Sequence, residues 1–301
     1  MKLFSGQANK PLALEIAKHL KMKLSQTEIH IFPDGEKRVR IFDETVGEDC
    51  FVVQSASTPA DTNYMELFFI TDALKRGGAG QITAIIPYLG YERQDHLFRV
   101  GECVSLEVIA KILKTVGVDR VIAFDLHSIK IPEIFGIPVV HLSALSLFAK
   151  KIREKKLDDG GTVLVSADMG GIRRIKLLSE MLNNMPYASI EKNRDLSTGE
   201  VSTTGIEGEV LQKAIIVDDM ISTGSTIVAS ANLLKEKGVR QLYVFATHPV
   251  FSADAPKILQ ESGVKEIFVT DTIFVPEEKR FPKLQILSVS DMIAKEIKNK
   301  I

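Results

Sequence analysis

The 301-residue chain is long enough for two domains with a core each, and its 45% hydrophobic and 26% charged content is that of a folded globular protein. A formal net charge of −1 gives no general attraction to nucleic acid or to a membrane surface, and no apolar run approaches the ~20 residues of a membrane span. Cys50 and Cys103 have neither metal-ligand spacing nor a disulfide framework, and the start Met1-Lys-Leu-Phe-Ser-Gly6 has no signal-type apolar core, so a cytoplasmic protein is expected.

Short apolar, β-branched runs predict strands near 29–32, 38–42, 51–54, 82–86, 121–125, 139–140, 162–166, 187–190, 214–217, 242–246, 267–269 and 285–288. Helical patterns between them predict helices over 9–21, 63–76, 104–116, 143–155, 171–183, 225–237, 253–261 and 290–299. This alternation is that of an α/β protein with mostly parallel sheets, in which ligands bind beyond the carboxyl ends of the strands. The polar stretch Glu191–Gly208 interrupts the pattern and reads as a mobile loop or a solvated hairpin.

The chain also looks duplicated. Leu74–Tyr88 aligns with Leu234–His248 at a constant offset of about 160 residues, each closing a strand, loop and helix. Two similar domains follow, 1–142 and 143–283, with the C-terminal segment 284–301 able to pack back onto the first.

The richest segment is Ala214-Ile-Ile-Val-Asp-Asp-Met-Ile-Ser-Thr-Gly-Ser-Thr226, read as buried strand, loop and helix. The backbone N–H groups of Ser222, Thr223, Gly224, Ser225 and Thr226 then converge at the positive end of a helix, where an anion binds readily. Asp218 and Asp219 would repel a phosphate, but a vicinal diol can donate one hydrogen bond to each. Phosphate on the loop and diol on the acids together describe a ribose 5-phosphate unit. Turn chemistry alone is the plainer reading of such a loop. The first half has Gln54-Ser-Ala-Ser-Thr-Pro59 in place of the acids.

Five further segments contain groups suited to chemistry. Phe32-Pro-Asp-Gly-Glu36 is a good turn by itself, and a phenyl face and two acids also suit a purine nucleotide. Pro87-Tyr-Leu-Gly-Tyr-Glu-Arg-Gln-Asp-His96 follows a strand directly; it reads as a solvated loop or as phosphate and base contacts from Arg93 and Gln94. Phe124-Asp-Leu-His-Ser128 and Ser166-Ala-Asp-Met-Gly-Gly171 sit at two more strand ends, and Lys192 and Arg194 open the polar stretch. No Walker-type phosphate loop occurs.

Taken together, these segments resemble the ribose-phosphate pyrophosphokinase family, also called phosphoribosyl pyrophosphate synthetases, over essentially the whole chain and closer to its archaeal-type branch. The resemblance implies two phosphoribosyltransferase-type domains, each a mainly parallel sheet flanked by helices. It implies ATP recognition by Phe32, Asp34 and Glu36, on a loop that reaches a neighbouring subunit, and by Arg93, Gln94 and Asp95. His127 and Asp168 correspond to residues that position Mg²⁺, and Lys192 and Arg194 to a catalytic pair closing over the triphosphate. Partners would be ATP, ribose 5-phosphate and at least one further copy of the chain. Two departures are visible: Ser222 stands where many bacterial members have a third Asp, and Ala167 where the family usually has Pro. Rival readings are an enzyme that consumes phosphoribosyl pyrophosphate, which would leave the first-half segments unexplained, and a non-catalytic regulatory paralogue.

Overall fold

The computed structural model describes residues 1–194 and 201–299, with 191–194 and 201–204 described by backbone alone. Two compact units emerge: Met1–Leu142 with Thr272–Phe274 and Ser288–Ile301, and Ser143–Asp271 with Val275–Leu287. In chain order the first stretch forms β1 (Lys2–Ser5), α1 (Lys10–His19), β2 (Thr27–Ile31), β3 (Lys37–Ile41), β4 (Asp49–Val53), α2 (Ala60–Arg76), β5 (Gln81–Ile85), α3 (Ser105–Val116), β6 (Arg120–Phe124), α4 (Ile131–Ile134) and β7 (Val139–Leu142). It continues with α5 (Leu145–Glu154), β8 (Thr162–Ser166), α6 (Ile172–Met181), β9 (Tyr187–Arg194), β10 (Val201–Glu207), β11 (Lys213–Ile221), α7 (Ser225–Glu236), β12 (Gln241–Pro249), α8 (Ala255–Glu261), β13 (Glu266–Thr270), β14 (Leu284–Leu287) and α9 (Ser290–Lys298).

Each unit is built on a parallel sheet. In the first unit the order is β1-β4-β5-β6-β7, and in the second β8-β11-β12-β13-β14, extended by β9 and β10 at the β8 edge. The second order is the first shifted by seven strands. Register agrees as well: Ser5 lies opposite Val53 and Val53 opposite Ile85, as Ser166 lies opposite Val217 and Val217 opposite Phe245. The central strands read as unbroken apolar runs because both faces are covered; every residue of β6 is buried, and Ala214 to Val217 of β11 have no exposed surface.

The differences from expectation have local causes. β11 does not stop at residue 217 but runs to Ile221, and β12 likewise runs on to Pro249, because Met220 and Ile221 still pair with His248 and Pro249. Charged side chains at Asp218 and Asp219 masked a backbone ladder that continues beneath them. β1 and the four-residue α4 are too short to carry a periodic signal. β10 was hidden by its Ser, Thr and Gly content; it pairs antiparallel with β9, Lys192 opposite Thr203 and Arg194 opposite Val201.

Segment 284–301 divides. β14 pairs with β13 in the second sheet, whereas α9 packs on α1 in the first unit. There Glu296 Oε1 accepts from Arg120 Nη2 at 2.5 Å, Arg120 having only 4% of its side chain exposed. Lys298 Nζ donates to the His19 carbonyl at 3.0 Å, close to the end of α1. Replacing Glu296 by Ala would strand a buried guanidinium. The expected loss is about 3 kcal/mol in urea unfolding, with Glu296→Gln losing less. If both variants unfold within experimental error of the parent, the ion pair does not hold α9.

Candidate functional site

In the second unit the carboxyl ends of neighbouring strands β8 and β11 gather the acids. Asp218 and Asp219 follow Val217, whose register partner Ser166 ends β8, and Asp168 lies two residues beyond Ser166. Arg174 of α6 spans the pair, with Nη1 3.6 Å from Asp218 Oδ1 and Nη2 3.7 Å from Asp219 Oδ2. Asp218 Oδ1 accepts from Asp219 N at 2.9 Å, and Asp219 Oδ1 from Met220 N at 3.0 Å. Burial, and after it the charge of Asp219, hold the Asp218 carboxyl well above the usual carboxylate range, with Arg174 pulling the other way and Asp168 adding to the rise.

Asp168 is fixed by its own turn. Its Oδ1 accepts from Gly171 N at 3.0 Å and its carbonyl from Ser166 Oγ at 2.7 Å. A Cβ on Gly171 would fall 2.3 Å from that hydroxyl, so this position needs glycine. Beyond β11 the connection is short. Ser222 Oγ meets Ser252 Oγ at 2.8 Å, Thr223 Oγ1 meets Ser225 Oγ at 2.9 Å, and Gly224 caps α7 at φ +81°. The first N–H groups of a 12-residue helix therefore open beside the hydroxyls, next in sequence to the acids.

Arg174 was missed in the sequence. Its signal was there: arginines at 173 and 174 fall in the first turn of α6, where a cation opposes the helix dipole unless carboxylates face it.

The first unit contains a cavity of about 810 Å³ lined by Arg93, Asp95, His96, Phe98, His127, Ser128 and Lys130, among others. The segments after β5 and β6 build it, again at strand ends. Glu92 holds them together: it is 1% exposed, and its Oε2 accepts from His127 N at 3.1 Å. Leu126 N donates to His141 Nε2 at 3.1 Å, fixing the same loop one residue earlier. Asp95 Oδ1 contacts His96 Nδ1 at 2.5 Å, and the His96 and Phe98 rings lie 4.1 Å apart. Gln94 is exposed and does not line this cavity, its backbone N–H being turned back to the Tyr91 carbonyl at 2.9 Å.

Phe32, Asp34 and Glu36 sit on the β2–β3 turn and line no part of that cavity. Phe32 N bonds the Glu36 carbonyl at 2.8 Å, Gly35 N the Phe32 carbonyl at 2.9 Å, and Asp34 Oδ1 accepts from Glu36 N at 3.1 Å, with Gly35 at φ +90°. Phe32 keeps 38% exposure, edge-on to His30 at 4.7 Å. Glu36 borders a second cavity of about 450 Å³ with Asp61, Met65 and Phe69. Lys192 and Arg194 are placed on β9, but their side chains lie outside the described residues.

Comparison with known proteins bears on this arrangement. A family model described as the N-terminal domain of ribose phosphate pyrophosphokinase matches residues 1–117, and one described as a phosphoribosyl synthetase-associated domain matches residues 188–301. The ribose-phosphate pyrophosphokinase of Caldanaerobacter subterraneus subsp. tengcongensis is 40% identical over 298 residues, spanning 99% of this chain and 93% of that protein. The chain belongs to the ribose-phosphate pyrophosphokinase family. The Fusobacterium nucleatum ribose-phosphate pyrophosphokinase is 41% identical, spanning 99% of this chain and 94% of its own. The crystal structure of phosphoribosylpyrophosphate synthetase from Mycobacterium smegmatis superposes with a TM-score of 0.93 at 38% identity, covering 99% of this chain and 98% of that one.

Membership in the ribose-phosphate pyrophosphokinase family makes the chain an enzyme, a transferase of nucleotide biosynthesis with two α/β domains. A divalent cation is consistent with that chemistry. Among the described residues no three His, Cys, Asp or Glu side chains are grouped to hold a metal by themselves. No described helix is long and apolar enough to cross a membrane.

The raised Asp218 carboxyl has a measurable cost. A group that binds its proton more tightly folded than unfolded loses stability as pH rises from its unfolded value, about 4, through its folded one. Asp218→Asn removes that penalty. The variant should melt above the parent at neutral pH, by a margin that closes as the pH falls toward about 4. A margin constant with pH would contradict the assignment.

Proposed function

We propose that the chain transfers the β,γ-pyrophosphoryl group of ATP to O1 of D-ribose 5-phosphate, giving 5-phospho-α-D-ribose 1-diphosphate and AMP. The observation that carries this reading is the β11–α7 connection. It joins two acids on a strand end to hydroxyls and uncapped N–H groups at a helix start. The 5-phosphate is assigned to Ser222, Thr223, Gly224, Ser225 and Thr226, and the 2- and 3-hydroxyls to Asp218 and Asp219. A hydroxyl donating to Asp218 favours its ionised form and offsets both burial and the repulsion from Asp219.

O1 then attacks the β-phosphorus of ATP and gives up its proton, while the bond from that phosphorus to the α-phosphate oxygen breaks and AMP leaves. ATP is assigned to Arg93, Gln94 and Asp95, with Phe32, Asp34 and Glu36. The placement of Arg93 and Asp95 on one cavity with His127 supports this, and Gln94 lies between them in sequence, outside the lining. Bound Mg²⁺ would neutralise triphosphate charge, with His127 and Asp168 as this chain's contributors to its hold. The cation pair Lys192 and Arg194 is assigned to the transition state, where positioning and electrostatic stabilisation are the main tasks. At least a homodimer and a cytoplasmic location belong to the same reading; the two free thiols, Cys50 and Cys103, are in keeping with a reducing compartment.

Two measurements test the proposal. Purified protein with ATP and Mg²⁺ should release AMP only when ribose 5-phosphate is added; AMP release indifferent to the sugar would sink the reading. Lys192→Ala should slow turnover by about 100- to 1,000-fold, as the loss of one transition-state donor does. Turnover within a few-fold of the parent would remove Lys192 from the mechanism.

A further inference from the structure

The repeat places a glutamate in the first unit where the second has part of its phosphate loop. The inward face of α2 is Leu67, Ile70, Thr71 and Leu74, and that of α7 is Ile227, Ser230, Ala231 and Leu234, a constant offset of 160. On that alignment Glu66 stands at the position of Thr226. Thr226 is exposed, whereas Glu66 is wholly buried.

Three donors converge on the Glu66 carboxylate. Lys37 Nζ lies 2.6 Å from Oε2, while Gln7 N at 2.5 Å and Gln54 Nε2 at 3.1 Å reach Oε1. The lysine side chain is only 10% exposed. Gln54 is held at both ends of its amide, Oε1 accepting from Ala8 N at 3.1 Å and Nε2 also reaching the Asn63 carbonyl at 3.2 Å. Gly6 permits this approach, since a Cβ there would fall 2.3 Å from Gln54 Oε1. The first unit thus supplies an anion from its own chain at the place where the second presents an open cradle.

A buried ion pair is costly to desolvate, and its best-attested return is the fixing of one arrangement over others. Here the arrangement is that of the β2–β3 ribbon, a two-stranded sheet paired only with itself among the described residues. Ribbons of this size are marginal alone. Ile29, Val39 and Ile41 pack its body against the core, but all three lie away from the turn. Lys37 is the first residue of β3 and follows Glu36 directly.

We infer that Glu66 is a positioning residue for the nucleotide side of the reaction, tying the Phe32–Glu36 turn in place through Lys37. The inference rests on the nucleotide role proposed for that turn. Lys37→Met, Glu66→Gln and the double variant Lys37→Met/Glu66→Gln separate positioning from plain stability, using the full-length enzyme. Lys37→Met leaves a buried carboxylate without its cation and should be the least stable of the three; the double variant should regain most of that loss. The KM for ATP should nevertheless stay raised by about tenfold in the double variant, with kcat and the KM for ribose 5-phosphate within about twofold of the parent. Lys37→Arg should restore the KM for ATP.

A double variant with the parental KM for ATP would reduce the pair to a structural contact, and equal rises in both KM values would mean general loosening; either result overturns the inference. If the double variant does not fold, Glu66→Gln alone decides by the same comparison, since it keeps shape and both amide donors. Failure of the proposed reaction itself is distinct: it shows in the parent enzyme as AMP release that ignores ribose 5-phosphate.

Discussion

A parallel sheet covered on both faces leaves polar side chains one place to gather, at the ends of its strands. The two sheets of this chain are built under that constraint. Their strands are apolar along their length, and Asp168, Asp218, Arg93 and His127 appear only where a strand has ended or is about to end. Chemistry at those ends depends on how rigidly the strands are held beneath them. For β11 the hold is close to complete, with parallel partners on both sides and no exposed surface from Ala214 to Val217.

Given that scaffold, the two units dispose of charge in opposite ways. The second gathers three carboxylates at the ends of β8 and β11, and Arg174 lies 3.6 and 3.7 Å from two of them, longer than a tight ion pair. The result is a site under electrostatic tension that hydroxyl donors or a cation would relieve. The first unit closes the equivalent place with Glu66 and Lys37 at 2.6 Å, a pair already satisfied. One repeat sets its carboxylates against an arginine at a distance, and the other closes on an ion pair of its own.

Most of this architecture is readable in the sequence because periodicity and composition agree. The alternation of β-branched runs with amphipathic segments foretells the order of the elements, and the alignment of Leu74–Tyr88 with Leu234–His248 foretells the repeat of strand order and register. What escapes notice is set by tertiary contact. The continuation of β11 to Ile221 depends on partners in β12, invisible in a segment whose side chains turn polar. Arg174 and Glu66 each read as an ordinary helical charge until the residues they face are known. Gln94, between Arg93 and Asp95 in sequence, is exposed and outside the lining of the cavity those two residues share, a difference that sequence proximity does not reveal.

The terminal helices of the two repeats are exchanged. α5, which follows the last strand of the first sheet, belongs to the second unit, and α9, which follows the last strand of the second sheet, belongs to the first. During synthesis this imposes an order that neither repeat would have alone. The first sheet, β1-β4-β5-β6-β7, leaves the ribosome well before Ile293, Ala294 and Ile297, buried in α9. Until they do, the face of α1 that receives α9 is open and Arg120 lacks its carboxylate. The sheet of the first unit is therefore made well before the helix that completes it, and no cut between the sheets yields two complete halves.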